Sequence, residues 1–173
     1  LWQHAVAVSG DDNIGIHVAE TAPIESFEVI AYTLLSSSTL RDAYQRACRY
    51  QRLIHEVTDL TFTEDAEEGV LQHMLPGGKS VPRHPAEFLA TSWVRFGRLI
   101  IGDEWSPRLV AFAHAAPKDV SDHARVFKAP VMFASGRTAI HVPKSILDSR
   151  NPQADMGLLN VLEQYADVLL KQM

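Results

Sequence analysis

The chain has 173 residues, of which 46% are hydrophobic and 21% charged, and these values exclude a largely disordered polypeptide. Its longest uninterrupted apolar run is only a few residues, which excludes a span of the roughly 20 apolar residues that a bilayer needs. The net charge of −5 argues against direct binding to duplex DNA, because neutralising phosphates needs a basic surface. The single cysteine, Cys48, excludes an internal disulfide and suits a reducing compartment, so we expect one cytoplasmic domain over residues 1–173.

The first third of the chain predicts two helices separated by an apolar segment. Residues 12–21 form a short helix capped by its first residue. Residues 27–35 are apolar and too few to separate strand from helix, although an extended segment is our first expectation. Residues 40–54 have apolar side chains at helical spacing and predict a helix that buries one face. Thr39 and Asp42 have the spacing of a capping box at its start.

The middle of the chain predicts a hairpin followed by a long helix. Residues 57–63 and 70–75 are rich in β-forming residues, and the acidic segment 64–69 between them indicates a turn. Residues 85–101 predict a helix that ends at Gly102.

The long helix has an apolar face and a polar face. The apolar face consists of Leu89, Trp93, Phe96 and Ile100. The opposite face, which we expect in solvent, consists of Glu87, Thr91, Arg95 and Arg98. Pairing of the two arginines with an anionic effector is the alternative to a plain solvated face.

The last third predicts a strand over residues 109–114 and a short helix over 119–127. Residues 130–133 and 139–142 predict a second hairpin, and residues 155–171 a final amphipathic helix. Hairpins mixed with helices, without regular alternation, favour the α+β class. We therefore expect an antiparallel sheet built from hairpins, covered and flanked by amphipathic helices.

Six side chains are the candidate ligand-binding residues: His73, Trp93, Phe96, Phe112, His114 and Phe133. Strand parity places Phe112 and His114 on one face, where a polar ring among apolar neighbours can orient a small molecule. Trp93 and Phe96 would line the space between the long helix and the sheet. The alternative is plain core, in which each histidine bonds a backbone carbonyl.

Other chemistries have weaker signals. Residues 78–80 (Gly-Lys-Ser) resemble the end of a phosphate-binding loop, but His73 stands where that motif needs its first glycine. The histidines lack the close spacing of zinc ligands, and the serines lack the glycine-flanked turn of a hydrolase nucleophile. We therefore predict no catalytic residue, no metal and no cofactor. Two alternatives stay open: an oligomerisation domain without a ligand, and a metal-binding or hydrolytic enzyme domain.

Several segments follow, in order, the motifs of one family. They are SGDDNIGI at residues 9–16, AYTLLSSSTLRDAYQRACRYQRLI at 31–54, RLVAFAHAAP at 108–117, and the segments 126–133 and 138–142. Together they resemble the N-terminal, arabinose-binding-like domain of AraC/XylS-type bacterial transcriptional regulators. Ala31, Lys128 and Thr138 depart from the pattern, which usually has glycine at the first two positions and asparagine at the third.

The resemblance implies an effector-sensing regulatory domain and not an enzyme. It also implies a helix-turn-helix module after residue 173, through which alone DNA is bound. The partner of the domain itself would be an unknown small molecule, and the apolar strands favour a small apolar or amphipathic acid. The final helix leads towards the missing module, so we regard it as the lever of the response and as a candidate homodimer surface.

Overall fold

The computed structural model describes residues 1–54 and 57–173. Within them the helices are α1 (Trp2–Ser9), α2 (Ile14–Thr21), α3 (Glu28–Leu35), α4 (Leu40–Tyr50), α5 (Arg83–Ile101), α6 (Ser121–Phe127), α7 (Lys144–Leu147) and α8 (Met156–Gln172). The strands are β1 (Asp59–Glu64), β2 (Glu68–Met74), β3 (Leu109–Ala111), β4 (Val131–Met132) and β5 (Thr138–Pro143). Short 3₁₀ turns precede α3 and follow α4. The predicted α+β class is confirmed.

The strands form one sheet in the order β1-β2-β5-β3-β4. Neighbouring strands in this sheet run antiparallel, except β3 and β4, which run parallel to each other. The first predicted hairpin is confirmed, since β1 pairs antiparallel with β2 and places Phe62 opposite Leu71. Asp65 closes the acidic turn, because its Oδ1 accepts from the backbone N–H groups of Glu67 and Glu68.

The second predicted hairpin, between residues 130–133 and 139–142, is wrong. β3 pairs antiparallel with β5, and β4 pairs in parallel with the other edge of β3. The physical reason is burial, because Val110 and Ala111 are only 0% and 2% exposed. A strand buried on both faces takes a central position in its sheet. The strand is also shorter than predicted and ends at Ala111.

The segment over residues 27–35 is helical and not extended. In α3 the side chains of Val29, Ile30, Ala31 and Leu34 are all buried. A helix that is apolar around most of its circumference shows no amphipathic period, so its sequence resembles that of a buried strand. Ala31, one of the departures from the family pattern, lies inside this helix at 0% exposure.

The predicted cap of α4 is confirmed, but the predicted cap of the first helix by Asp12 is wrong, because α2 begins at Ile14 after Asn13 and has no side-chain cap hydrogen bond. The side chain of Thr39 accepts a hydrogen bond from the backbone N–H of Asp42 at 3.1 Å, which starts α4. Asp155 caps α8 in the same way, accepting from the N–H of Leu158 at 2.9 Å. In both helices a side chain satisfies a backbone donor that the first turn leaves unpaired.

The predicted long helix α5 is confirmed, but the prediction that its polar face lies in solvent is wrong. α5 starts slightly before the predicted position and ends at Ile101, with Gly102 at φ 102° as its cap. α2 packs so tightly against it that a Cβ on Gly15 would collide with the carbonyl oxygen of His84. Glu87, expected in solvent, is consequently 0% exposed.

Candidate ligand-binding site

The predicted site residues fall into two sets, and the first joins β2 to α5. The indole Nε1 of Trp93 donates a hydrogen bond to Nε2 of His73 at 2.6 Å. Their rings are stacked with centroids 6.0 Å apart, and Phe96 lies 6.0 Å from Trp93. All three side chains are buried. We call these residues the indole set.

The second set lies beyond the end of β3. The ring of Phe112 is 4.9 Å from that of His114 and 5.8 Å from that of Phe133. His114 Nδ1 lies 2.9 Å from the backbone oxygen of Ala115, which is the carbonyl partner expected for a core histidine. Burial lowers the pKa of His114. We call Phe112, His114 and Phe133 the phenyl set.

Sequence reasoning missed a buried carboxylate beside the phenyl set. Glu87 Oε1 accepts from Nε of Arg83 at 3.0 Å and lies 2.8 Å from Nε2 of His123. His114 Nε2 lies 3.7 Å from the same oxygen. Burial alone would raise the pKa of Glu87, but the hydrogen bonds from His123 and Arg83 hold it below its ordinary value. In the sequence, the i, i+4 spacing of Arg83 and Glu87 is the local signal that indicates this ion pair.

The buried carboxylate is the centre of a polar network that joins α2, α5 and α6. The guanidinium of Arg83 also donates to Asn13 Oδ1 at 2.8 Å, and Asn13 Nδ2 donates to Asp122 at 3.0 Å. Hydrogen bonds from Arg125 and Asn13 lower the pKa of Asp122 to about 2. The network is therefore charged at neutral pH and fixes three helices relative to one another.

An apolar cleft of about 450 Å³ lies near the indole set, but none of the six candidate residues is among the described residues that line it. We call it the apolar cleft; its walls include Trp2, Val57, Leu75, Val81, Phe88 and Leu89. Leu75 directly follows β2, which carries His73, and Leu89 lies one helical turn before Trp93. Its volume falls in the range of small-molecule sites.

The two arginines of α5 do not lie on a plain solvated face. Nη1 of Arg95 donates to the backbone oxygens of Ala19 and Ala22 at 3.0 and 2.6 Å, at the end of α2. Nη1 of Arg98 donates to the backbone oxygen of Val126 at 2.8 Å, at the end of α6. Each arginine therefore satisfies carbonyl groups that a helix C-terminus leaves unpaired.

The final helix α8 is attached to α4 by ion pairs and exposes an apolar face. Nε of Arg46 lies 3.0 Å from Glu163, and Nη2 of Arg49 lies 2.9 Å from Asp167. The side of α8 that faces away from α4 has four apolar residues, each between 45% and 63% exposed. We call this side the outer face of α8, formed by Leu158, Val161, Tyr165 and Val168.

Residues 1–54 and 57–173 contain neither a metal-binding cluster nor a membrane-spanning helix. No cluster of three or more His, Cys, Asp or Glu side chains in these ranges is placed to hold a metal ion. No helix in the same ranges combines the length and apolarity needed to cross a membrane.

The fold and its clefts correspond to a regulatory domain of transcription factors. The family model described as the arabinose-binding domain of AraC transcription regulator, N-terminal, matches residues 1–151. The chain belongs to this family, as its sequence motifs indicate. The family is a class of regulator domains and not an enzyme class.

Known relatives are regulators of about twice this length. The chain is 24% identical to the ornithine utilization regulator of Pseudomonas aeruginosa, over 98% of this chain and 50% of that protein. It is also 24% identical to an uncharacterized HTH-type transcriptional regulator of Mycobacterium tuberculosis, over 94% of this chain and 48% of that protein. The crystal structure of the transcriptional regulator CdpR from P. aeruginosa shows the same fold, with a TM-score of 0.74 and 16% identity. That match covers 92% of this chain and 53% of CdpR.

Proposed function

We propose that this domain binds a small-molecule effector and transmits the binding to a helix-turn-helix domain elsewhere in the full-length regulator. The observation that carries the proposal is the apolar cleft beside the indole set, in a chain that belongs to a family of regulator domains. The chain spans about half the length of the curated relatives it matches. Its net charge of −5 supports DNA binding by another part of the protein.

The effector would lie in the apolar cleft with the His73–Trp93 pair near one end. An apolar lining with few polar groups favours an apolar or amphipathic acid, as the strands already suggested. The phenyl set is the second candidate site, because His114 and Glu87 add polar groups to an aromatic surface there. In both sites the domain would act by binding, without a catalytic step.

We propose α8 as the element that transmits the signal. Its contacts with α4 include the ion pairs of Arg46 and Arg49, which depend on exact side-chain geometry. An effector shifts the position of α8 only if it binds one arrangement more tightly than the other. The spacing of Leu158, Val161, Tyr165 and Val168 is that of a coiled-coil seam, which favours a homodimer through the outer face of α8.

The test is a thermal-shift screen of the 173-residue chain against small apolar and amphipathic organic acids, without amino acids. A ligand at a hundred times its Kd adds about 2.7 kcal/mol of stability, or about 5–10 °C in Tm for a domain of this size. Leu75→Phe, which fills the apolar cleft, should abolish that shift. Val120→Phe, at an exposed position outside the cleft, should leave it intact. An equal shift in both variants would contradict the assignment of the cleft.

A second candidate function is oligomerisation without a ligand. The exposed outer face of α8 favours it, because apolar patches of this kind mark contact surfaces. If no compound in the screen stabilises the chain while the chain dimerises, this alternative replaces the sensor.

A further inference from the structure

A second cleft, of about 260 Å³, lies between α2, α5 and α6. We call it the polar cleft; the residues that matter to the argument are Glu20, Thr91, Arg95, Arg98, Asp103 and Val126. It lies along the second half of α5, and it shares no lining residue with the apolar cleft. Its volume is just below the range of drug-sized sites, so its occupant would be small.

The guanidinium of Arg98 supplies hydrogen-bond donors that the fold does not use. Its Nη1 donates to the backbone oxygen of Val126, whereas its Nε and Nη2 are buried without a partner among residues 1–54 and 57–173. A buried N–H group without an acceptor costs free energy. Two such groups on one cation form the planar fork that matches a carboxylate.

The hydroxyl of Thr91 is a second unused polar group in the polar cleft. Thr91 is 1% exposed, and its Oγ1 has no partner in the described part of the chain. A threonine inside a helix commonly bonds a carbonyl one turn earlier, but the Thr91 hydroxyl makes no such bond. Thr91 lies two helical turns before Arg98, so both side chains lie on the same side of α5.

The polar cleft also contains an acidic group that is not paired with Arg98. Burial lowers the pKa of Arg98, and the charge of Asp103, which also lines the cleft, partly opposes that shift. No ion pair of 4 Å or less joins Asp103 to Arg98 within the described ranges. Glu20, the other carboxylate, is already bound to both terminal nitrogens of Arg125 at 2.6 and 2.8 Å. Among the lining residues that the structure describes, Arg98 is thus an available cation and Asp103 an available anion.

We infer that the polar cleft binds a small amino acid. Its carboxylate accepts hydrogen bonds from Arg98 and Thr91, and its ammonium group lies against Asp103. Leu99 and Val126 form the apolar wall for a short aliphatic side chain. Arg95 is engaged with the end of α2 and shapes the wall. The inference goes beyond the sensor proposal, since this site is separate from the apolar cleft and does not require a link to DNA binding.

The experiment is isothermal titration calorimetry of the 173-residue chain with norvaline and ornithine. Pentanoate and butylamine are matched analogues, because each keeps the aliphatic chain of norvaline and only one of its two charges. We expect norvaline or ornithine to bind at least about tenfold more tightly than either analogue, since each analogue leaves one charged side chain unpaired.

Three variants locate the binding. Thr91→Val keeps the shape of the side chain, and Arg98→Gln removes the cation; each should weaken amino-acid binding by about ten- to a hundredfold. Asp103→Asn should weaken binding of norvaline but not of pentanoate. Arg137→Gln, at an exposed position between β4 and β5, is the control and should change nothing.

Each other outcome overturns the inference. Equal binding of pentanoate and norvaline would show a general anion site, and unchanged affinity in Thr91→Val would show that the ligand binds elsewhere. Absence of heat with both amino acids would leave water as the partner of the buried donors. If Arg98→Gln fails to fold, the affinities of Thr91→Val and Asp103→Asn decide whether the amino acid binds in the polar cleft. The sensor proposal is tested separately, because Leu75→Phe alters only the apolar cleft.

Discussion

The buried carboxylate of Glu87 gives the most quantitative test of the fold. Glu87→Leu keeps a similar volume but removes the acceptor of Arg83 and His123, which is 1% exposed. Arg83 retains its bond to Asn13, so the main cost is the orphaned His123. Leaving a buried donor without its acceptor costs about 1–3 kcal/mol, and the simultaneous loss of the ion pair with Arg83 places the expected cost near the upper end, at about 3 kcal/mol.

Glu87→Gln should have a smaller effect. Both hydrogen bonds reach the single oxygen Oε1, and the amide oxygen of glutamine can still accept them. The charge is lost and an amide NH2 group takes the place of the buried Oε2, so we expect about 1–2 kcal/mol. The expected fall in Tm for the leucine variant is about 6–12 °C.

Urea unfolding followed by circular dichroism measures these free energies. Glu104→Leu is the control, since Glu104 is exposed and its loss should cost no more than about 0.5 kcal/mol. The pKa of Glu87 is lowered in the folded state, so the stability it provides is fully present above the unfolded pKa of about 4.3. That stability is lost as the pH falls through the folded value, and the difference between wild type and Glu87→Leu should shrink there. A leucine variant as stable as wild type at pH 7 would refute the reasoning.

Three further predictions concern the cap of α4, the backbone conformation of Lys128 and the outer face of α8. Thr39→Ala removes the cap of α4 and should cost about 1 kcal/mol in urea unfolding; no change would mean that the cap is replaced. Lys128 has φ 49°, so Lys128→Gly should raise stability by about 0.5–1 kcal/mol in the same assay, and a loss would contradict this. Val161→Asp should shift the chain from dimer to monomer in analytical ultracentrifugation, whereas a dimer that persists would exclude the outer face of α8.

Local signals in the sequence predicted local structure well. Thr39 caps α4 as predicted, because a side-chain oxygen three residues before a backbone N–H is sufficient to satisfy it. Gly102 ends α5 because it adopts the positive φ that the cap requires. Lys128 takes the left-handed conformation, with φ 49° and ψ 36°, at the end of α6, where the family usually has glycine.

The failures involve partners that are distant in the sequence. The position of β3 between β4 and β5 depends on the burial of Val110 by elements that its own alternation does not reveal. Glu87 looks like a solvent-facing residue of an amphipathic helix until His123, far along the chain, provides its partner. The six candidate site residues lie in two sets for the same reason, since strand parity cannot show which helix covers a face.

The most direct test of the sensor proposal is the operator affinity of the full-length regulator, measured by fluorescence anisotropy with and without the effector identified by the thermal screen. The account predicts that the effector changes the operator Kd about 5- to 150-fold, the usual range for coupled sites. It also predicts that Leu75→Phe abolishes that change, and that the 173-residue chain alone does not bind the operator. An operator Kd that is identical with and without a bound effector, or sequence-specific binding by this chain alone, would contradict it.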